Sequence, residues 1–422
     1  MINKKQAFAG IGILLAALFF GKWELSSQML FFRLLVGMGL GYALTRGFMG
    51  FAGSVNRAYR GGSTKLMQIL MLLFIVTAIV NAGFLFNSDI KSYNLWINPI
   101  NAGLILGGLS FGFGMTFSSC CASGVMTDLV TDLPRAGVTL IFFSLGVFIG
   151  FPIQSSQPWI TESLFTSASY ANNPDYNGVF LPDLFTFDGL NGYLGAIILT
   201  TIFAAIVIYL CKKYEDKRRE KGTYHGIDTE IEQQQTVADK NKKPATPFKL
   251  LSAQTYQQIF VEPWSMKAGA MMIVIMFTLM LAVTQTGWGA STPFGIWVGQ
   301  ILTFVGMPIE QVAHFADRPV GMFATPFFEH PISVQNVGIV IGTLFCVLMM
   351  GQLKLSFNYS AKQLALFAMG GLLMGLGTRF ANGCNVGALY TPIANLSLSG
   401  WIFFVALVSG GIFGNRVAKR IS

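Results

Sequence analysis

Residues 112–124 read GFGMTFSSCCASG, and residues 375–387 read GLGTRFANGCNVG. Laid over each other without a gap, Gly112, Gly114, Phe117, Cys121 and Gly124 fall on Gly375, Gly377, Phe380, Cys384 and Gly387. The frame runs on, since Gly137 meets Gly400 at the start of the next apolar run. A weaker echo pairs VGMGLG at 36–41 with VGIVIG at 337–342. Shared glycines are cheap in a chain with 47 of them, but two of only five cysteines in one frame point to an internal repeat.

Outward from the repeat, the chain alternates long apolar runs with short polar ones. Hydrophobic residues make up 53% and charged residues 11%, well under the roughly 25% charge of a soluble domain. Runs at 66–86, 190–211, 266–286 and 334–353 are long enough to cross a bilayer as helices, which takes about 20 residues. They are continuous rather than alternating, which favours helices over a membrane β-barrel. Further spans are expected at 7–20, 30–44, 99–118, 136–153, 293–309, 363–380 and 400–416. The expected fold is an all-α polytopic membrane protein of ten to twelve crossings. Lys4 and Lys5 before an apolar run resemble a signal peptide, but no cleavage site follows, so the run reads as a first span.

Charge orients the spans. Segment 46–65 is basic, 154–188 carries acids and no Lys or Arg, and the stretch after Cys211 begins KKYEDKRREK. The excess of Lys and Arg beside cytoplasmic span ends puts the N-terminus, 46–65 and 212–262 inside. The net charge of +9 follows from the same bias and does not imply a nucleic-acid partner. Three segments are expected: a membrane half at 1–211, a hydrophilic linker at 212–262 and a second membrane half at 263–422. Lys354 and Lys362 then make span 363–380 run opposite to its counterpart at 99–118. Between 308 and 331, Glu310, His314, Asp317, Arg318, Glu329 and His330 argue against a continuous span.

Opposed repeats are a transporter or channel signature. After each cysteine turn comes a stretch too short to cross, 122–133 and 385–396, which reads as a re-entrant half-helix. Such helix starts expose unpaired N–H groups and the positive end of the dipole. They suit an anion at membrane depth. The pathway residues expected on this basis are Cys121, Cys384, Cys346, Cys120, Arg379, Asn382, Asn385, Ser119 and Ser123. Gly112, Gly114, Gly124, Gly375, Gly377 and Gly387 are expected to serve structure. Each has a plainer reading: thiols packed as small hydrophobes, Arg379 as a snorkelling anchor, Asn and Ser as caps. Asp128 and Asp132 either hold the short element through Arg135 or couple protons. No Walker A, HExxH or GxSxG pattern occurs, and thiols without a nearby His are a thin metal site. No metal, cofactor or catalytic residue is expected.

At SSCCASG and NGCNVG the sequence resembles the YeeE/YedE family of sulfur-transport, or thiosulfate-uptake, membrane proteins. The resemblance covers most of both membrane halves and is weakest at 154–188 and 212–262. It implies an inner-membrane fold of inverted halves and passage of thiosulfate past essential cysteines, carried onto Cys121 and Cys384. A third functional cysteine is typical of thiosulfate members; here Cys346 and Cys120 are the stand-ins, and 46–53 holds none. The resemblance also implies a small cytoplasmic sulfur-carrier protein as a partner. The alternatives are a selenium-species transporter of the same fold, or a membrane thiol or sulfurtransferase enzyme.

Overall fold

The computed structural model describes residues 3–171, 173–242, 252–354 and 357–421. Part of the expected linker, 243–251, lies outside the described residues. The first half contains α1 Lys4–Trp23, α2 Gln28–Arg46, α3 Phe51–Gly61, α4 Lys65–Leu85, α5 Ala102–Ser118, α6 Gly124–Thr131 and α7 Leu133–Ser156. Next come α8 Tyr193–Glu220 and α9 Asp228–Lys242. The second half holds α10 Met266–Thr284, α11 Thr292–Phe304, α12 Pro331–Met350, α13 Ala361–Phe380 and α14 Leu398–Ile421. Among the described residues, nine helices are long and apolar enough to cross a membrane, and α5 is a shorter apolar helix.

The starts of these helices are written in local side chains. Asn101 caps α5 by accepting the Leu104 N–H at 2.9 Å. Ser360 and Gln363 form a capping box on α13, satisfying two N–H groups that a helix start leaves unpaired. Pro134 opens α7, where a missing N–H costs nothing. The segment expected to resist a continuous span forms two short helices, Ile309–Ala316 and Val320–Ala324.

The repeat frame extends over whole elements. Shifted by the 263 residues that separate Ser110 from Leu373, α1, α2, α4, α5 and α7 fall on α10, α11, α12, α13 and α14. The short α3 falls on the two short helices of 309–324, and α6 falls on the π-helical segment Asn385–Tyr390 and the short helix Thr391–Ala394. The long helices α8 and α9 have no counterpart among the described residues.

The equivalent helices α5 and α13 cross antiparallel. Gly103 lies against Phe380, Gly107 against Gly377, and Gly114 against Gly370. A Cβ on Gly107 would stand 2.6 Å from the Gly377 carbonyl oxygen, and one on its equivalent Gly370 would stand 2.6 Å from the oxygen of Gly114, the equivalent of Gly377. Ser110 Oγ donates to the carbonyl of Leu373, its own repeat equivalent, at 3.0 Å. The outer contacts are reciprocal too: α7 packs on α13, and α14 packs on α5. Gly375 seats against the Phe143 carbonyl, and Gly112 against the Leu407 carbonyl. In a bilayer, where apolar burial gives helices little reason to associate, small residues permit this close van der Waals contact.

Gly107→Val is therefore expected to destabilise the folded protein by about 3 kcal/mol, because the added methyls meet backbone that cannot yield. Gly83→Val, where a Cβ meets nothing within 4 Å, should be near neutral. Thermal melting of the purified protein by intrinsic fluorescence compares the two.

The linker is more structured than its composition suggested. Helix α8 continues through the basic stretch to Glu220, and Glu230 and Gln233 of α9 are buried. Gln233 donates to the Trp264 carbonyl. The N–H groups of His225 and Gly226 reach the Gly61 carbonyl at 3.0 and 2.9 Å. Polar composition hid this because the docking uses a few specific polar side chains rather than an apolar stripe.

Candidate anion pathway

Both long helices of the repeat break at the same position. Ser119 ends α5 with φ +57°, and its equivalent Asn382 follows α13 with φ +55°. A non-glycine residue in the left-handed region is uncommon and costs energy. Its recurrence at equivalent positions, beside both cysteine turns, marks a constrained geometry rather than a chance loop.

The two thiols are placed alike. Cys121 is buried and Cys384 is fully buried. The Gly124 N–H points at Cys121 Sγ at 3.4 Å, and Ser123 Oγ lies 3.4 Å from the same sulfur. The Cys121 carbonyl accepts from Val125 at 2.7 Å, and the Cys384 carbonyl from Ala388, the equivalent of Val125, at 2.6 Å. Cys384 caps the start of the helical turn Asn385–Tyr390 through its backbone, with no side-chain cap hydrogen bond. Each cysteine thus sits beside a helix start, a position that favours negative charge.

Each turn borders its own polar cavity, on opposite sides of the α5–α13 crossing. The first, about 160 Å³, is lined by Ser119, Cys120, Cys121 and Ser123 together with Arg57, Asp128 and Arg135. The second, about 240 Å³, is lined by Asn382, Gly383 and Gly387 with Trp96, Gln154 and Arg379. Equivalent repeat positions therefore face both cavities. Two larger cavities are lined almost wholly by apolar side chains between helices; they suit lipid tails and lie away from the two cysteine turns.

Arg379 is buried and lines the second cavity. Its guanidinium donates to Ser291 Oγ at 3.2 Å, Thr292 Oγ1 at 3.5 Å and Thr378 Oγ1 at 3.3 Å. Arg318 lies beside it, donating to Gln154 Oε1 at 2.8 Å, and Gln154 in turn donates to Asn382 Oδ1. Both guanidiniums contact the Phe151 ring, at 5.4 Å and 5.3 Å from its centroid. Among the described residues neither forms an ion pair with a carboxylate. A buried cation without a counter-charge is costly, which in a membrane protein makes it a candidate for function. Asn385 is buried, its Oδ1 without a partner among the described residues and its amide nitrogen 4.0 Å from Met115 Sδ.

The remaining expected residues divide. Cys120 joins the first cavity, while Cys346 is buried on α12 beside α2 and lines neither cavity. Asp128 and Asp132 hold Arg135 at 3.1 and 2.9 Å, so they brace the short element. Asp132 also accepts a 2.6 Å hydrogen bond from Tyr359, which raises the phenol's pKa because the bond is lost on ionisation. Sequence reading missed Arg318, Gln154, Ser291, Trp96 and Arg57 as site residues. Arg318 offered one signal, a basic residue in a segment that refused to read as a span. The others look like ordinary interface or loop residues until the halves are folded together.

The chain is similar to known proteins along most of its length. The "Thiosulfate transporter TsuA" of Spirochaeta thermophila is 24% identical over 394 residues, covering 90% of this chain and 97% of that protein. The "Probable transporter YedE" of Salmonella typhimurium is 28% identical over 167 residues, and that of Escherichia coli 29% over 142 residues. Those two matches span only 41% and 35% of the relatives' lengths. The sequence model of the sulphur transport family matches residues 46–413, a stretch that holds both cysteine turns and both cavities, and the chain therefore belongs to that family of membrane transport proteins rather than to an enzyme family.

Proposed function

We propose that this protein takes up thiosulfate, or a closely related small sulfur-containing anion, across the bacterial inner membrane by relay past Cys384 and then Cys121. The observation that carries this reading is the pair of buried thiols in equivalent turns: Cys121 lines the first cavity, and Asn382, Gly383 and Gly387, which flank Cys384, line the second. The second cavity faces outside and the first faces the cytoplasm. Supporting this, the first cavity lies on the side of the basic end of α8, where Arg218 donates to the Tyr59 carbonyl at 3.0 Å, and basic span ends favour the cytoplasm. The N-terminus is then cytoplasmic as well.

An entering anion meets Arg379, Arg318 and the hydroxyls of Ser291 and Thr292, which replace part of its hydration shell. The terminal sulfur of thiosulfate is soft and accepts a hydrogen bond from a thiol, so Cys384 offers the next weak site and Cys121 the one after it. Weak successive sites allow an ion both to enter and to leave. Both thiols are buried, so passage requires the side chains between the cavities, Met115 and Asn385 among them, to part. The thiols act without covalent change. A small cytoplasmic sulfur-carrier protein is the fitting acceptor on the inner side.

The test is uptake of radiolabelled thiosulfate into proteoliposomes holding the purified protein, together with growth of a transport-deficient bacterium on thiosulfate as sole sulfur source. Saturable uptake, competed by thiosulfate in excess over sulfate, is expected. Equal uptake with and without the protein sinks the reading.

A further inference from the structure

The two cavities differ in how their arginines are neutralised. At the second cavity, the lining Arg379 is held by hydroxyls, and Arg318, bonded to the lining Gln154, by an amide oxygen. In the first, both lining arginines have carboxylate partners. Arg135 is paired with Asp128 and Asp132 on its own segment. Arg57 is paired with Glu230 at 2.8 Å, and this partner comes from α9, which has no counterpart in the repeat. Glu230 is only 3% exposed, and its other oxygen accepts the Ser63 hydroxyl at 2.6 Å. A carboxylate so deeply buried in an otherwise solvated segment is costly unless it is paired and hydrogen-bonded. Its placement ties the connection between the halves to the wall of the Cys121 cavity.

We infer that Glu230 is a positioning residue for anion release: it cancels the charge of Arg57, so that an anion drawn in at Arg379 is not retained beside Cys121. This rests on the proposed direction of transport from the second cavity to the first. Attraction at the entry needs exposed positive potential, whereas exit needs that potential to be low. The repeat does not carry these charges twice, since Arg379 is equivalent to Thr116 and Arg57 to Val320. The inserted α9 sharpens the asymmetry by bringing one carboxylate to one arginine.

A charge-sensing measurement independent of cargo tests this. Thr127 lines the first cavity and is half-buried. In the full chain bearing Thr127→Cys, the labelling rates of an anionic and a cationic methanethiosulfonate reagent are compared, with the chain lacking that cysteine as the blank. Glu230→Gln should raise the anion-to-cation rate ratio about ten-fold, Arg57→Gln should lower it, and the double variant should return it near the parent value. A ratio in Glu230→Gln within about two-fold of the parent overturns the electrostatic role. Thiosulfate uptake by Glu230→Gln without the reporter should show KM and maximal rate falling together, each by about three-fold or more, as tighter retention slows exit. An altered labelling ratio with unaltered uptake overturns the role in release. If the unmodified protein takes up no thiosulfate, the cargo reading fails, while the labelling ratio still decides the role of Glu230 in setting the cavity's charge.

Discussion

Cys384→Ala is expected to lower thiosulfate uptake about a hundred-fold, and Cys121→Ala to do the same, with little change in the amount of folded protein. The physical argument is that each sulfur is the soft group against which the cargo must rest between two cavities. Removing it takes away one weak site and, at Cys121, leaves the facing Gly124 N–H without its acceptor. Orphaning a buried donor costs about 1–3 kcal/mol, and the lost contact to the anion adds to the barrier. Both turns keep their shape, because the carbonyls of residues 121 and 384 still accept from Val125 and Ala388. Serine keeps a donor but is smaller and harder, so Cys384→Ser should fall between alanine and wild type. Proteoliposome uptake measures the effect, and thermal melting separates it from misfolding. Wild-type rates in both alanine variants would remove the relay from consideration and leave the thiols as packing. Cys346→Ala, away from both cavities, should keep uptake within about three-fold of wild type, unless loss of a buried side chain reduces folded protein.

Arg379→Gln should move stability and transport in opposite directions. Arg379 is buried with no carboxylate partner among the described residues, so the native fold carries an uncompensated charge. Replacing buried charge by a neutral side chain of similar length is often neutral or stabilising by about 1–4 kcal/mol, and glutamine still reaches Ser291 and Thr292. Transport should nevertheless fall about ten- to a hundred-fold, mostly through KM, since a hydrogen bond to a charged partner contributes about 1.5–3 kcal/mol. Arg379→Lys retains the charge without the planar fork and should lose less. A melting temperature raised or held, with uptake sharply reduced, is the signature of a binding charge. A lowered melting temperature with unchanged KM would make Arg379 a structural anchor instead.

The two features on which these predictions stand were not equally visible in the chain. The cysteine turns were legible because a gapless repeat places both thiols, the flanking glycines and the helix breaks in one frame. The left-handed residues then fell at equivalent positions, Ser119 and Asn382. The glycine-rich approach also announced close packing, and it appears as the reciprocal contact of Gly107 with Gly377 and Gly114 with Gly370. Arg379 was named, but its choice between anchor and anion site was not legible. That choice depends on whether any acid reaches it, and acids far along the chain are free to do so until the fold places them.

Span composition, charge bias and the repeat were therefore decided by the sequence itself. Bilayer crossing depends on continuous apolarity over about 20 residues, and helix breaks depend on the residues at the break, so both are local. Only the tertiary structure decided which charges are neutralised. Arg318 meets Gln154 across 164 residues and Arg57 meets Glu230 across 173, so one end of the pathway keeps bare guanidiniums while the other does not. It also decided that Cys120 borders a cavity and Cys346 does not. Pairing and burial depend on which distant surfaces touch, and no window of the chain contains that information.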